Sequence, residues 1–395
     1  MPTKLPRYAW PACAAAALVL AALVAPASAP AAATERFTPV TARVVAPPQP
    51  VTAGDGRQHL AYELLLINRS FNPPAGVAVQ RVEALAGGKV VASLSGPRLA
   101  AVMLPFGGTA PGARLAKGEA AYVMMDVSLP RGAQPPTRLV HRLVIAPEPA
   151  NAVVATDYRA ASTRVVQREA VVVAPPLRGD GWIVGNGCCA DLTSHRGALL
   201  PVNGGLYEGE RFAIDFIQIM PSGLLVTGPF EELSSYPFFG DPVVAAAGGR
   251  VVTVVDGLPE TPPGAVPPMT ATSAGGNHVV VDMGHGRFAL YAHLQPGSVR
   301  VKEGDRVRVG QSLGLLGSSG SSNAPHLHFQ LMDGPDPLGS NGLPYRFDRF
   351  TVAGTLTNFG GLFDGEKANV APRLRGTHKR QLPLNQQVIG FEPAA

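Results

Sequence analysis

Cysteine is nearly absent from this chain of 395 residues, which contains only Cys13, Cys188 and Cys189. Two of the three are adjacent, so no framework of disulfides can hold the fold together, and a hydrophobic core must do so. Charged residues make up 15% of the chain and aromatic residues 6%, and the formal net charge is +5. Because no run of Lys and Arg is interleaved with aromatics, the sequence does not predict nucleic-acid binding.

Long apolar segments are missing beyond the N-terminus. The chain begins with Lys4 and Arg7, then has an apolar stretch over residues 12–24 followed by small residues. That stretch is short for a transmembrane helix and is typical of a secretory signal. We predict a signal peptide over residues 1–33, cleaved after Ala33, with an uncleaved anchor as the alternative. The mature chain is then expected to have no membrane span and to be exported to the periplasm, the cell envelope or the extracellular space.

Amphipathic helical runs are scarce, whereas short Val-rich segments broken by Gly and Pro recur along the chain. This pattern predicts an all-β protein. We expect an N-terminal β-sandwich-like domain over residues 34–175, a second β domain over residues 176–365 and a C-terminal tail over residues 366–395. No catalytic constellation stands in the first domain, where His59 and His141 are isolated. We therefore expect a chain that starts near Leu177 to fold and to retain the chemistry.

The strongest chemical signal is the pair His326 and His328 in the phrase APHLHFQL. On a strand, residues i and i+2 point to the same face, which brings the two imidazoles together. Such a pair suits a metal ligand and a neighbouring proton acceptor. His293 lies on another alternating segment, FALYAHL. Asp215, in RFAIDFIQI, points away from its apolar neighbours and needs a partner, for which a cation is one candidate.

Residues 276–331, from GNHVVVDMG to APHLHFQL, resemble the catalytic core of the lysostaphin/LytM-type endopeptidases. The phrase VKEGDRVRVGQSLGLLGSSG also resembles half of a biotinyl/lipoyl-like barrel. The resemblance implies a LytM-type β-sheet or barrel-sandwich-hybrid-like domain, and hydrolysis of peptide bonds in peptidoglycan stem or cross-bridge peptides. It also implies a zinc ion bound by Asp215 and His328, with His326 as the base that activates water and His293 as a stabiliser of the tetrahedral oxyanion.

One position departs from the family pattern. The family usually has a His four residues before the Asp, where this sequence has Arg211, and Arg cannot bind zinc because it stays protonated. We predict that His195 is the third zinc ligand. Its phrase His-Arg-Gly echoes the family's His-x-Gly motif, and a Gly-rich hairpin separates it from Asp215. A catalytic zinc site takes three protein ligands and water, and His278 and His285 suit this role less well.

Two other interpretations stay open. An inactive LytM-like module that binds the wall or regulates another enzyme would explain Arg211, but it gives no chemical reason to retain the Asp and the three other His residues. Alternatively, Cys188 or Cys189 could be a nucleophile, but no Cys–His signature surrounds them. A structural pair, or a disulfide between the two neighbours, is the plainer interpretation.

Overall fold

The computed structural model describes residues 36–392, except for residues 71–74, 107–111, 266, 268 and 269. The expected signal peptide and Cys13 lie outside the described residues. The described residues from Phe37 onward form one compact unit. Within the described part, no helix has both the length and the apolar character needed to cross a membrane.

The first part of this unit consists of two antiparallel sheets. One has the strand order β1-β3-β8-β6 with β2 beside β3, and the other has the order β10-β9-β4-β5 with β7 beside β4. The elements are β1 (Val40–Val44), β2 (Val51–Thr52), β3 (Gln58–Asn68), β4 (Gly76–Ala86), β5 (Lys89–Ser95), α1 (Gly96–Val102), β6 (Met103–Pro105), β7 (Arg114–Ala116), β8 (Ala120–Leu129), β9 (Arg138–Glu148) and β10 (Asp157–Arg164).

Alternation along the strands builds one core between these two sheets. Leu60, Tyr62 and Leu64 of β3 are fully buried in a cluster that also contains Val82 of β4 and Leu143 of β9. Since successive side chains of a strand point to opposite faces, this cluster occupies the inner faces of both sheets. The predicted all-β fold with an N-terminal sandwich is confirmed.

The rest of the unit is a 13-stranded sheet with two small two-stranded sheets, β13-β14 and β16-β21. Its elements are β11 (Val171–Val173), β12 (Gly179–Gly185), β13 (Leu199–Val202), β14 (Gly205–Glu208), β15 (Ile214–Gln218), a 3₁₀ turn (Leu233–Ser235), β16 (Pro242–Val244), β17 (Gly249–Val255), β18 (Asn277–Asp282), β19 (Phe288–Leu294), β20 (Arg306–Val307), β21 (Ser312–Leu315), β22 (Leu327–Met332), β23 (Gly342–Leu343), β24 (Tyr345–Leu356), a second 3₁₀ turn (Gly360–Asp364), β25 (Val370–Ala371), β26 (Gly376–Gln381) and β27 (Gln387–Phe391).

The large sheet has the order β11-β24-β27-β12-β15-β22-β19-β18-β17-β20, with β23 beside β22 and with β25 and β26 beside β24. Strands β15, β22 and β19 are therefore neighbours, although β15 and β22 are far apart in sequence. Strands β25, β26 and β27 come from the segment that the sequence predicts as a tail. Strand β27 pairs with both β12 and β24, so this segment completes the sheet rather than extending from it.

A buried ion pair joins the sandwich to the second part of the unit. Glu63 of β3 points away from the sandwich core and is fully buried. Arg211, just before β15, donates from Nε to Glu63 Oε2 at 2.9 Å, and its Nη2 also bonds this carboxylate. Arg196 places Nη2 3.9 Å from Glu63 Oε1 and donates to the backbone oxygen of Met125 at 3.3 Å. Charges withdrawn from water need such partners, so the two parts share one electrostatic network.

The β13–β14 hairpin also packs on the sandwich. Leu199 of β13 belongs to the sandwich core, and Leu206 of β14 packs against that core. Beside the hairpin, Tyr122 of β8 donates its hydroxyl to the backbone oxygen of Gly197 at 2.7 Å. The sandwich therefore supports the segment between β12 and β15 through apolar, ionic and hydrogen-bonding contacts.

These contacts favour the opposite of the expectation that a chain starting near Leu177 folds alone. Deleting residues 36–173 exposes Leu199 and leaves Arg211 buried without Glu63. We expect the truncated chain to lose the cooperative thermal transition of the full chain, as followed by circular dichroism. A truncated chain that unfolds cooperatively at the Tm of the full chain would show that the sandwich is dispensable.

A point substitution probes the same interface in the full chain. Removing one partner of a buried ion pair costs about 3–5 kcal/mol, so Glu63→Gln should lower the free energy of unfolding in urea by that amount. Glu148→Gln is the matched control, because Glu148 pairs with the exposed Arg114. An exposed pair contributes less than about 1 kcal/mol. Equal losses in the two variants would contradict a special role for Glu63.

His59 of β3 lies between two carboxylates. Its Nδ1 is 2.9 Å from Asp126 Oδ2, and its Nε2 is 3.1 Å from Asp55 Oδ2. Burial lowers the pKa of this ring, but the hydrogen bonds to Asp126 and Asp55 outweigh burial and raise the pKa to about 9. His59 is thus a charged bridge between two acids at neutral pH.

This bridge should make stability depend on pH. The pKa of His59 rises on folding from 6.5 to about 9, so its contribution is fully present below pH 6.5 and is lost as the pH rises through 9. At 1.36 kcal/mol per pKa unit, the contribution is at most about 3 kcal/mol. Urea unfolding between pH 6 and 10 should show this decline, and His59→Gln should remove it. A variant with the same pH dependence as the parent would exclude His59 as the cause.

Candidate metal centre

Asp215 and His328 face each other across two paired strands. They are direct partners in the antiparallel register of β15 and β22. The Nδ1 of His328 lies 2.9 Å from Asp215 Oδ1. Their neighbours Phe216, Leu327 and Phe329 are fully buried in the main core on the opposite face of the sheet. The apolar alternation thus turns the Asp and the His toward the same groove.

His195 reaches the same place from a turn between β12 and β13. Its Nε2 is 3.1 Å from Asp215 Oδ2, and its Nδ1 donates to the backbone oxygen of Ala213 at 3.2 Å. One ligand atom from each of His195, Asp215 and His328 lies within 4.8 Å of the others. The hairpin expected between His195 and Asp215 is present as β13–β14. His195 itself, however, lies on a turn closed by the Gly197 amide and the Thr193 oxygen at 2.9 Å, not on a paired strand.

The chemistry of this group fits a zinc ion. Two imidazoles and one carboxylate are common zinc ligands, and three protein ligands leave a position for water. In each imidazole, the nitrogen that faces away from Asp215 forms a hydrogen bond with an oxygen. His195 Nδ1 bonds the backbone oxygen of Ala213, and His328 Nε2 bonds Gln330 Oε1 at 2.8 Å. Such partners fix the orientation of a metal-binding imidazole and its proton.

His326 and His293 lie beside this group. His326 places Nε2 3.4 Å from Asp215 Oδ1 and donates from Nδ1 to the backbone oxygen of Ala324 at 2.8 Å. The centre of the His293 ring is 4.5 Å from that of His326, and its Nδ1 donates to the backbone oxygen of Ser319 at 2.7 Å. His293 also has a φ of +63°, a conformation that residues with a side chain rarely adopt. All five site residues predicted from the sequence therefore meet in one cluster.

The pKa values of His326 and His293, the two imidazoles beside the metal-binding group, shift in opposite directions. Burial raises the pKa of Asp215, but the charges of His195 and His326 hold it well below its usual value. Burial lowers the pKa of His326, but the Asp215 carboxylate outweighs burial and raises it. Burial is the largest cause that lowers the pKa of His293. The charges of His326 and His328 lower it further, so it is held well below its usual value. His326 therefore accepts a proton readily, while His293 stays neutral.

Two residues that support the cluster, Asn186 and Gln330, were not predicted from the sequence. Asn186 donates from Nδ2 to Asp215 Oδ2 at 2.8 Å, and Gln330 bonds His328. Gln330 could have been found, since it continues the i, i+2 face of His326 and His328, whereas no periodicity indicates Asn186. Arg211 is directed elsewhere: besides Glu63, it contacts the backbone oxygen of Gly342 at 3.3 Å.

The two adjacent cysteines do not supply a nucleophile. Cys188 and Cys189 are bonded to each other as a disulfide. A second group of metal-binding residue types, formed by His59, Asp126 and Cys189, therefore has no free thiolate to offer. The interpretation of these cysteines as a structural pair fits this arrangement.

A groove of about 450 Å³ lies over the cluster. Its walls combine the polar donors with apolar side chains from β13, β19 and the loop after β22. The lining includes His195, Leu200, Glu210, Leu290, His293 and Leu338. An extended peptide could lie along such a groove with one backbone carbonyl beside the metal-binding group.

Comparison with known proteins finds a family match for part of this site. Residues 236–340 match the profile described as Peptidase family M23. The matched range includes His293, His326 and His328, and it begins after His195 and Asp215.

The curated relatives cover small parts of the chain. Peptidoglycan DD-endopeptidase ShyA of Vibrio cholerae is 40% identical over 57 residues, which are 14% of this chain and 13% of the relative. Glycyl-glycine endopeptidase ALE-1 of Staphylococcus capitis is 33% identical over 99 residues, which are 25% of this chain and 27% of the relative. The chain thus spans about a quarter or less of the length of these two relatives. Among solved structures, the catalytic domain of lysostaphin from Staphylococcus simulans is 24% identical and matches with a TM-score of 0.23, covering 42% of this chain and 88% of that one.

The donor set predicts the metal content of individual variants. We expect one zinc ion per chain in the purified protein, and its loss in Asp215→Ala and His328→Ala. His195→Ala should weaken zinc binding by more than about 100-fold, beyond the 10–100-fold effect of losing an outer-shell partner. Elemental analysis after dialysis against a chelator measures this, with His285→Ala in an exposed turn as the control. Well-folded protein without zinc would refute the site, and full zinc in His195→Ala would refute the third ligand.

Proposed function

We propose that this protein is an exported zinc-dependent endopeptidase that hydrolyses peptide bonds in the stem or cross-bridge peptides of peptidoglycan. The observation that carries the proposal is the placement of His326 beside the group formed by His195, Asp215 and His328, at the floor of an open groove. The M23 domain and the relatives named as peptidoglycan DD-endopeptidase and glycyl-glycine endopeptidase support the reaction class and the substrate.

His195, Asp215 and His328 would hold the zinc ion. When bound, zinc polarises a carbonyl group and lowers the pKa of water to about 7. His326 is the general base. Its Nδ1 proton is fixed on the backbone oxygen of Ala324, so its Nε2 is the nitrogen that accepts a proton from water. After accepting it, the ring can pass the proton to the leaving amine.

The hydrogen bonds of His293 modify the role that the resemblance implies. Its Nδ1–H donates to the oxygen of Ser319, and its pKa is held low, so the neutral ring presents an acceptor at Nε2. An acceptor orients water but cannot donate to an oxyanion. His293 therefore positions water beside His326 first, and it stabilises the oxyanion only once it carries a second proton.

Arg211 does not favour the inactive alternative. The ligand missing from its position has a replacement in His195, and Arg211 has a structural partner in Glu63. A zinc-loaded protein that binds peptidoglycan peptides and cleaves none of them would restore that alternative.

Substitution of the base separates chemistry from metal binding. His326→Ala should keep zinc while turnover of peptidoglycan-derived peptides falls by about 10²–10⁴-fold, the usual contribution of a positioned base. Zinc content and kcat are measured on the same preparations, with His285→Ala as the control. Near-normal turnover in His326→Ala would exclude it as the base.

A further inference from the structure

Glu210 is an acidic residue in the groove that the proposed chemistry does not use. It lies in the turn between β14 and β15, and it lines the groove together with His195, Asp215 and His328. The described lining contains no Lys or Arg, and among the described residues no cationic nitrogen lies within 4.0 Å of its carboxylate. It is also outside the group of residues that can share a metal ion. A negative charge thus stands unpaired on the wall of the groove.

The backbone around Glu210 is fixed. A side chain at Gly209 would come within 2.8 Å of the backbone oxygen of Pro337, so the turn packs closely there. On the other side, Arg211 and Phe212 are both buried. The amide of Ala213 closes the turn by donating to the backbone oxygen of Glu210 at 2.9 Å. The carboxylate is therefore presented from a rigid turn, which reduces the entropy lost when it binds a partner.

The nearest cation in sequence cannot neutralise it. Arg211 is directed into the protein, where it binds Glu63. The charge of Glu210 is felt across the groove, since it contributes to the electrostatics of His195 and His328. A partly buried carboxylate without an ion-pair partner of its own, beside a reactive centre, attracts a cationic group of a ligand and strengthens its binding through a charge-assisted hydrogen bond.

We propose that Glu210 forms a subsite for a primary ammonium group of the substrate, so that the groove selects peptides that carry a free amine close to the scissile bond. An ammonium group offers three donors and a compact charge, which suits a single carboxylate on an open wall. The proposal rests on the proposed peptidase function and adds a specificity-determining residue to it.

Paired peptides test this subsite. The two peptides are identical except that the side-chain amine of one lysine, adjacent to the cleaved bond, is free or acetylated. With the zinc-loaded full chain we expect kcat/KM to be about tenfold higher for the free amine, the effect of one hydrogen bond to a charged group. Glu210→Gln should abolish the difference through KM, leave the acetylated peptide within about twofold of the parent, and keep zinc. Glu210→Asp should restore part of the preference.

The controls separate this idea from the peptidase proposal. Glu232→Gln removes an exposed acid outside the groove lining and should leave the preference intact. A preference retained in Glu210→Gln would overturn the subsite, and so would loss of zinc, because the carboxylate would then belong to the metal centre. If the parent cleaves neither peptide, the peptidase proposal fails and the same pair is compared by calorimetric binding. Tighter binding of the free amine that vanishes in Glu210→Gln would support the subsite, and equal affinities would overturn it.

Discussion

The antiparallel register of β15 and β22 places Asp215 opposite His328. Because side chains alternate along a strand, a slip of either strand by one residue would turn its donor toward the core. The slip is opposed by Phe216, Leu327 and Phe329, whose burial on the other face contributes about 1.5–3 kcal/mol each. The geometry of the candidate metal-binding group is thus maintained by hydrophobic packing behind it. His326 directly precedes β22 and His293 lies on β19, which pairs with β22, so the same sheet positions both.

The sandwich is tied to this centre through one segment of chain. Between β12 and β15 the chain provides His195, packs Leu199 into the sandwich core and ends at Arg211, which binds Glu63. Arg211, the residue at which the sequence departs from the family pattern that it resembles, therefore has a structural role. Arg211 anchors the segment that carries His195, and Glu63 compensates the charge of Arg211 in a place closed to water.

Much of this site could be predicted from the sequence, for identifiable reasons. His326 and His328 follow the period of a strand, and Asp215 interrupts an apolar alternation, so local pattern alone indicates their face. The identity of His195 needed a coordination rule, since its position on a turn has no periodicity. The contact with the sandwich could not be predicted, because Glu63 is one acidic residue in an apolar strand and nothing local indicates a partner 148 residues away. The hydrogen bond from Asn186 to Asp215 could not be predicted for the same reason.

The segment between β12 and β15 also connects the candidate metal centre with the proposed ammonium subsite. His195 lies near its start, Leu200 lines the groove from its hairpin, and Glu210 stands near its end. These three side chains share one support, since Tyr122 holds the turn beside His195 and Glu63 holds the residue after Glu210. A shift of the sandwich would therefore move His195, the apolar wall at Leu200 and the Glu210 carboxylate together. Rigid attachment of all three to one folded domain removes the freedom that a loop of this length would otherwise have. The sandwich thus acts on the chemistry through position alone, without contributing a reactive group.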